Sequence, residues 1–440
     1  MSGQAPKTSS ALWHGFADMG AVERDGAFVF ARGEGAYVFD TDGTRYLDAT
    51  AGLWFANVGH GRAEVADAVR DQLLKVAHVT GFGDAATDTT VALAERLQGI
   101  APVPDSKIFF TSGGSDSVDS AIKLARRYWQ EKGRPGKKLI VGRSNAYHGM
   151  HVGGTSLGGI PANAEGYGGV LFDGTATIAW DDAKELLGLI ERVGADAIAA
   201  FVAEPVIGAG GLLPPPEGYL REVRDICREH DVLFIADEVI TGFGRIGGAW
   251  FASSRFDLQP DLMTTAKGLT SGYIPMGALF VAPDVAEPFF AGGVWWRHGY
   301  TYGGHAAGAA AAMAVLDIME RENLVAEALR LQDTLMRELS PLADHPKVKE
   351  VRGGTGAVAG VQLHEPAEAM TMAKKLRAQG FRVVRPGWVR CSSLRLSSRP
   401  TSRWPRSPPR PHGRSTPDTP GSGVAHRCIA DCRRIKPRAL

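Results

Sequence analysis

The chain contains a succession of uninterrupted apolar runs that match a β-strand in length and are too short for a helix. They are Leu139-Ile-Val141, Ala199-Ala-Phe-Val-Ala203, Val232-Leu-Phe-Ile-Ala236 and Ala278-Leu-Phe-Val-Ala282. Strands apolar on both faces belong in a sheet covered on both sides, and such sheets are mostly parallel. Helical patterns separate the runs: Tyr219–His230 is one, and Ala63–Ala77 places Val65, Val69, Leu73 and Val76 at spacings of three and four. The expected fold class is α/β with a mostly parallel sheet. Functional side chains then belong at strand ends and in the loops just beyond them.

Shorter signals fill in the rest. Gly35–Asp40 and Arg45–Asp48 alternate apolar and polar residues around Asp42-Gly43, which predicts a hairpin. Lys107-Ile-Phe-Phe-Thr111 predicts a buried strand, followed by a Gly-rich turn and a helix over Val118–Trp129. Glycine makes up 55 of 440 residues, well above the usual fraction of about 7 %, and marks a chain with many tight turns and close backbone approaches. The N-terminus shows no basic stretch followed by an apolar run, and no window reaches about 18 uninterrupted apolar residues. Neither secretion nor a membrane partner is expected. The four cysteines suggest neither a disulfide framework nor a zinc site, so the expected location is cytoplasmic.

Charge divides the chain abruptly near Arg390. Residues 391–440 hold eleven Lys and Arg, two Asp and Glu, eight Pro and eight Ser, a net of +9. The first 390 residues hold thirty-eight basic and forty-six acidic side chains, a net of −8, and the two parts cancel to the +1 of the whole. The tail has no apolar periodicity and is expected not to pack with the core. Its Arg/Pro/Ser-rich composition is that of a disordered segment, or of GC-rich coding sequence read out of frame from near Gly387. A nucleic-acid partner is not expected, because the arginines alternate with prolines and Trp404 is the only aromatic.

Four places could carry chemistry. Thr111-Ser-Gly-Gly-Ser-Asp-Ser117 lies between a strand and a helix, and reads either as a phosphate cradle around Gly114 and Ser115 or as a capped tight turn. Tyr147, in Asn145-Ala-Tyr-His-Gly149, offers a flat ring that could stack on a planar group or simply pack. No carboxylate or thiol completes a ligand set with His148 and His151, so no metal is expected. Asp237 and Glu238 end a buried strand; alternation lets one of them reach a ligand, and Asp237 is the better placed. Lys267, thirty residues beyond Asp237 and flanked by Ala266 and Gly268, would be partly desolvated, which lowers its pKa and frees the neutral amine.

In this order on an α/β chain, these motifs resemble the class III aminotransferases, pyridoxal-phosphate enzymes of fold type I. The resemblance runs from about Ala36 to Arg385 and includes Ala51–Gly61, Asn145–Gly149, Glu204-Pro205, Ala236–Arg245, Pro260-Asp261 with Ala266–Gly268, and His298–His305. It implies pyridoxal 5'-phosphate as cofactor, Lys267 as the Schiff-base lysine and Asp237 as the partner of the pyridine nitrogen. Gly114 and Ser115 would hold the phosphate, Tyr147 and Val239 the two faces of the ring, and Glu204 would belong to the same site. Thr301 would reach the phosphate from a neighbouring subunit, which implies a homodimer with shared sites.

The ω-amino acid:pyruvate branch is the most similar. It implies an amino donor such as β-alanine, a keto-acid acceptor, Trp54 and Phe82 as pocket walls, and Arg385 as the carboxylate-binding residue. Ornithine-type relatives carry a glutamate where this chain has Ala209, and the departure argues against them. The resemblance further implies a small α/β domain made from both termini. Residues 1–55 would be its N-terminal part, 56–324 the cofactor-binding large domain, 325–390 the remaining, incomplete part of the small domain, and 391–440 the tail.

Overall fold

In the computed structural model, residues 11–383 and the backbone of Trp388–Cys391 are described. Strands are numbered in chain order. A hairpin region holds β1 (Phe30–Glu34), β2 (Tyr37–Asp40) and β3 (Arg45–Asp48). The expected strands, joined by Thr175–Ile178 and Leu262–Thr265, make a large sheet of β4 (Lys107–Thr111), β5 (Leu139–Arg143), β6 (Thr175–Ile178), β7 (Ile198–Ala203), β8 (Leu233–Asp237), β9 (Leu262–Thr265) and β10 (Gly277–Val281). β11 (Val348–Arg352), β12 (Ala359–Leu363), β13 (Phe381–Arg382) and β14 (Trp388–Cys391) follow.

The large sheet has the order β4-β10-β9-β8-β7-β5-β6. The neighbours from β9 through β6 are parallel, while β10 runs antiparallel to both β4 and β9. Every residue of β7 and β8 is buried, as expected of strands covered on both faces. Alternation sorts their side chains: Phe201, Phe234, Met263 and Phe280 join one apolar cluster, and Val202, Ile235, Leu262 and Leu279 join another with Val118, Ala121 and Ala125 of the helix Gly114–Glu131. No helix among the described residues is long and apolar enough to cross a membrane.

A second apolar centre draws on residues far apart in the chain. Ala36 and Leu47 pack with Leu335, Val348, Leu376 and Phe381, and β13 pairs in parallel with β3, Phe381 opposite Leu47 and Arg382 opposite Asp48. β11, β12 and β14 form a separate three-stranded sheet.

The hairpin forms as the sequence suggests. β2 and β3 are antiparallel, and the Asp40 carboxylate accepts from the backbone of Asp42 at 3.0 Å and of Thr44 at 2.8 Å. Two differences matter for the site. The helix expected from Val118 begins four residues earlier, at Gly114, because Gly and Ser, poor in a helix interior, are acceptable in a first turn whose amides need no intrahelical partner. β9 was not legible as a strand: Leu262-Met-Thr-Thr265 lacks a strong apolar run and is recruited by the edges of β8 and β10. Residues 392–440 of the expected tail and Arg385 lie outside the described residues, whereas the backbone of Cys391 closes β14.

β10 backs the Gly-rich turn with no room to spare. A methyl group at Gly277 would lie 2.5 Å from Thr111 Oγ1, 2.7 Å from the Gly113 carbonyl and 2.7 Å from Ser117 Oγ. Gly277→Ala is expected to lower stability by about 1–3 kcal/mol, read as a lower urea midpoint with an unchanged m-value; an unchanged midpoint would mean that the turn yields freely.

Candidate active site

A cavity of about 360 Å³ opens where β4, β8 and β9 end. Its floor is the first turn of the helix Gly114–Glu131, whose leading backbone amides have no intrahelical partners and carry the positive end of the helix dipole. Ser117 Oγ lies 2.7 Å from Thr111 Oγ1 and donates to the Thr265 carbonyl at 3.1 Å, tying this turn to the end of β9. Ser115 Oγ accepts from the Met150 amide at 3.2 Å. Gly149 must be glycine for this approach: its φ is +92° and a Cβ would stand 2.4 Å from Ser115 Oγ.

Asp237 enters from the end of β8 and is 3 % exposed. Its Oδ1 accepts from Thr264 Oγ1 at 3.0 Å and from the Val239 amide at 3.1 Å, and its Oδ2 lies 2.7 Å from His148 Nδ1. Glu238 points away, as strand alternation requires. It accepts from the amides of Ala252 (2.7 Å) and Ser253 (2.6 Å), at the start of the short helix Ala252–Phe256, and from Thr241 Oγ1 (3.0 Å). Glu204, also fully buried, accepts from the amides of Tyr147 and Gly208 at 2.9 Å each and so fixes the Tyr147 loop. Burial raises the Glu204 carboxyl above its ordinary pKa, Asp237 adds to the rise, and His148 opposes it.

Lys267 follows β9 with φ at +38°, a conformation that costs a non-glycine residue about 1–3 kcal/mol. Desolvation lowers its pKa from the ordinary lysine value, against the pull of Asp237 and Glu204. Asn57 braces the turn behind it: its Nδ2 donates to the Phe243 carbonyl at 2.9 Å and would be 2.5 Å from any Cβ at Gly268. The cavity therefore holds an amine with a depressed pKa, a buried carboxylate and a bare helix N-terminus, arranged around a space for a small molecule.

A model of the family described as Aminotransferase class-III matches residues 19–396. The chain is a class III aminotransferase. It is 40% identical over 367 residues to a putrescine–pyruvate aminotransferase of Pseudomonas aeruginosa, covering 79% of each chain. It is 37% identical to a β-alanine–pyruvate aminotransferase of the same organism, over 86% of this chain and 91% of that one. A solved amine transaminase from an uncultivated Pseudomonas species, in its pyridoxal-phosphate-bound form, superposes with a TM-score of 0.84 at 36% identity, over 89% of this chain and 96% of the other.

Class III aminotransferases use pyridoxal 5'-phosphate, and the cavity of this aminotransferase suits that group. The volume lies in the usual range for a small-molecule site. A Cβ at Gly114 would fall 2.8 Å from Val239 Cγ1, so the approach to the helix amides is kept bare between turn and side chain. Among the described residues no lysine or arginine forms an ion pair with Asp237, which leaves its charge, shared with His148, for a cationic ring nitrogen.

Gly114, Ser115, Tyr147, Glu204, Asp237, Val239 and Lys267 all line this one cavity. The other expected positions fall elsewhere. Trp54 turns into a buried cluster with Val206, Leu212 and Ile240, and its neighbour Phe55 lines the cavity instead. Trp54 was expected from the resemblance alone; positive φ at Ala51, Gly52 and Trp54 shapes the turn that carries both aromatic residues. Phe82 is 53% exposed and Thr301 is exposed, both outside the cavity of their own chain. Phe55 and the contacts of Asp237 with Thr264 and His148 were not legible beforehand. His148 had invited only a metal reading, and Thr264 needed the β8–β9 register to be seen.

The loop bearing Thr301 is firmly anchored. His78 Nε2 donates to the Thr301 carbonyl at 2.8 Å, and Tyr300 Oη donates to the Asp116 carbonyl at 3.1 Å. His298 lies between Ser120 Oγ and Lys123 Nζ, 2.8 Å from each. Burial and then the Lys123 charge, opposed by Asp116, pull its pKa from 6.5 to about 4. The folded state therefore refuses a proton that the unfolded chain accepts, so this contribution is complete above pH 6.5 and is lost as pH falls toward 4. His298→Gln is expected to remove that part of the pH slope of stability, measured by urea denaturation across this range; an identical slope would show that His298 titrates freely.

Proposed function

We propose that this aminotransferase transfers an amino group from an ω-amino acid or amine, such as β-alanine, to pyruvate in a ping-pong cycle. The observation that carries the reading is the meeting of Lys267, Asp237 and the Ser112–Ser115 turn in one cavity. The pyruvate-dependent activities for which the two curated relatives are named support the donor and acceptor class, as does Ala209 in place of the glutamate of ornithine-type enzymes.

Bound pyridoxal phosphate would supply an electron sink for the charge left when a C–H bond breaks at the donor carbon that bears the amino group. The amides of Gly114 and Ser115, with the helix dipole, bind its phosphate, and the Ser115 hydroxyl adds a further contact. Asp237 keeps a proton on the ring nitrogen, while His148 and Thr264 hold the carboxylate in orientation. Tyr147 and Val239 would hold the ring between them and exclude water, and Glu204 holds the Tyr147 loop. Lys267 Nζ takes the proton from the donor carbon that bears the amino group and later returns one to the Cα of the pyruvate-derived acceptor; its lowered pKa keeps the neutral base available nearer neutral pH.

Arg385 is assigned to the acceptor carboxylate from its place in Val383-Val-Arg-Pro386. Phe82 packs its ring against Gly299, two residues from Thr301, so both belong to one exposed patch. In a homodimer that patch would complete the partner's site, Thr301 at the phosphate and Phe82 as a donor wall. Residues 56–324 then form the cofactor-binding domain, and residues 1–55 with 325–390 the small domain.

Lys267→Ala is expected to lose the visible absorption of the lysine-bound cofactor and to lower turnover of β-alanine with pyruvate by about 10²–10⁴-fold. An unchanged spectrum would remove Lys267 from its role. Mixed dimers test the shared site: refolding Lys267→Ala subunits with Thr301→Ala subunits is expected to restore activity above that of either variant, since one site per mixed dimer is then intact. No gain on mixing would place Thr301 in its own subunit's site or outside catalysis.

A further inference from the structure

Phe55 reaches the cavity from a turn whose backbone is held against its preferences. Ala51 and Trp54 have φ of +47° and +62°, and Gly52 between them has φ +72° and ψ −79°. Such a run persists only where surrounding bonds over-determine it. The Phe55 ring stands over two glycines: a Cβ at Gly52 would lie 2.1 Å from its Cζ, and one at Gly272 2.3 Å from its Cδ2. The position of the ring therefore follows that of the turn.

The bonds that hold the turn converge on one side chain. Arg382 Nη1 donates to the Gly52 carbonyl at 2.7 Å, to Asp48 Oδ1 at 2.7 Å and to Thr50 Oγ1. Asp48 Oδ2 accepts from the Gly52 amide at 2.6 Å, and Thr50 Oγ1 lies 2.8 Å from Asp48 Oδ1. Asp48 is 2 % exposed and also pairs with His60 Nε2 at 2.9 Å. Burial alone would raise its carboxyl pKa, but His60, Arg382 and Thr50 outweigh burial and hold it below the ordinary carboxylate range. Arg382 comes from β13 and Asp48 from β3, so the clamp spans more than three hundred residues of chain and depends on the parallel pairing of those strands.

We infer that Arg382 is a positioning residue for donor selection: through Asp48 and the Gly52 carbonyl it holds the Thr50–Phe55 turn and so places the Phe55 wall of the cavity. The inference rests on the reading that this cavity takes the amino donor. Among the described residues Arg382 hydrogen-bonds to Asp48, Thr50 and Gly52, none of which lines the cavity, and acts through the turn alone. Every one of those bonds leaves from Nη1, so a single ammonium can replace the guanidinium here. Loss of the clamp lets Phe55 withdraw and widens the site for bulky amines.

The test compares holoenzyme variants on the smallest and the bulkiest primary amines that the wild type accepts with pyruvate, reading the ratio of their kcat/KM values. Arg382→Met is expected to shift the ratio at least fivefold toward the bulky amine, mainly through KM, with the bound-cofactor spectrum retained. Arg382→Lys is expected to restore most of the original ratio, and Phe55→Ala to reproduce the shift. In the Phe55→Ala background, Arg382→Met is expected to add nothing. An equal fall in kcat/KM for both amines, an unchanged ratio, or full additivity with Phe55→Ala would overturn the inference. A shift in Phe55→Ala without one in Arg382→Met strikes only the clamp, whereas no shift in Phe55→Ala strikes the reading of the cavity as the donor site.

Discussion

The register of β8 against β9 is the constraint on which the site depends. The two strands run parallel with Asp237 opposite Thr264, so the carboxylate at the end of one and Lys267, three residues further along the other, emerge at the same edge of the sheet. Thr264 Oγ1 donates to Asp237 Oδ1 and locks that register from the side chain as well as the backbone. Side chains alternate with a period of two, so a slip of one residue would turn Asp237 into the apolar layer and bring Glu238 to the cavity. The buried backbone ladders on both sides of β8 leave no room for such a slip.

Burial gives these groups their chemistry. A lysine in water stays protonated near neutral pH, whereas Lys267 in a desolvated cavity is shifted toward its neutral form. Nearby acids oppose that shift without cancelling it, because Glu204 is itself pushed toward protonation by burial and Asp237 is engaged with His148. The helix N-terminus meanwhile supplies positive potential with no ionisable group. Site and scaffold are inseparable here: the elements that desolvate Lys267 also carry the turn and the loop facing it.

Outside the large sheet, distant segments meet where sequence offers little guidance. β13 has two residues, yet its pairing with β3 brings Arg382 onto Asp48 and so onto the turn before Phe55. The loop of Thr301 is similarly held by His78 and by Ser120 and Lys123 on the long helix. In both places a segment owes its position to polar bonds with chain far away in sequence.

The sequence by itself determined the α/β class, the buried central strands and many of the residues that meet in one cavity. Continuous apolar runs and a Gly-rich strand–helix junction are local signals that survive without tertiary context. Choosing Asp237 over Glu238 was possible for the same reason, since strand alternation is local geometry. Tertiary structure decided the rest. Phe55, and not the Trp54 that the resemblance implied, lines the cavity, on a turn with three positive φ values. His148 meets Asp237 across eighty-nine residues, and Thr264 meets it only through strand register. Contacts of this kind depend on how separate elements pack, and no spacing within one segment of chain records them.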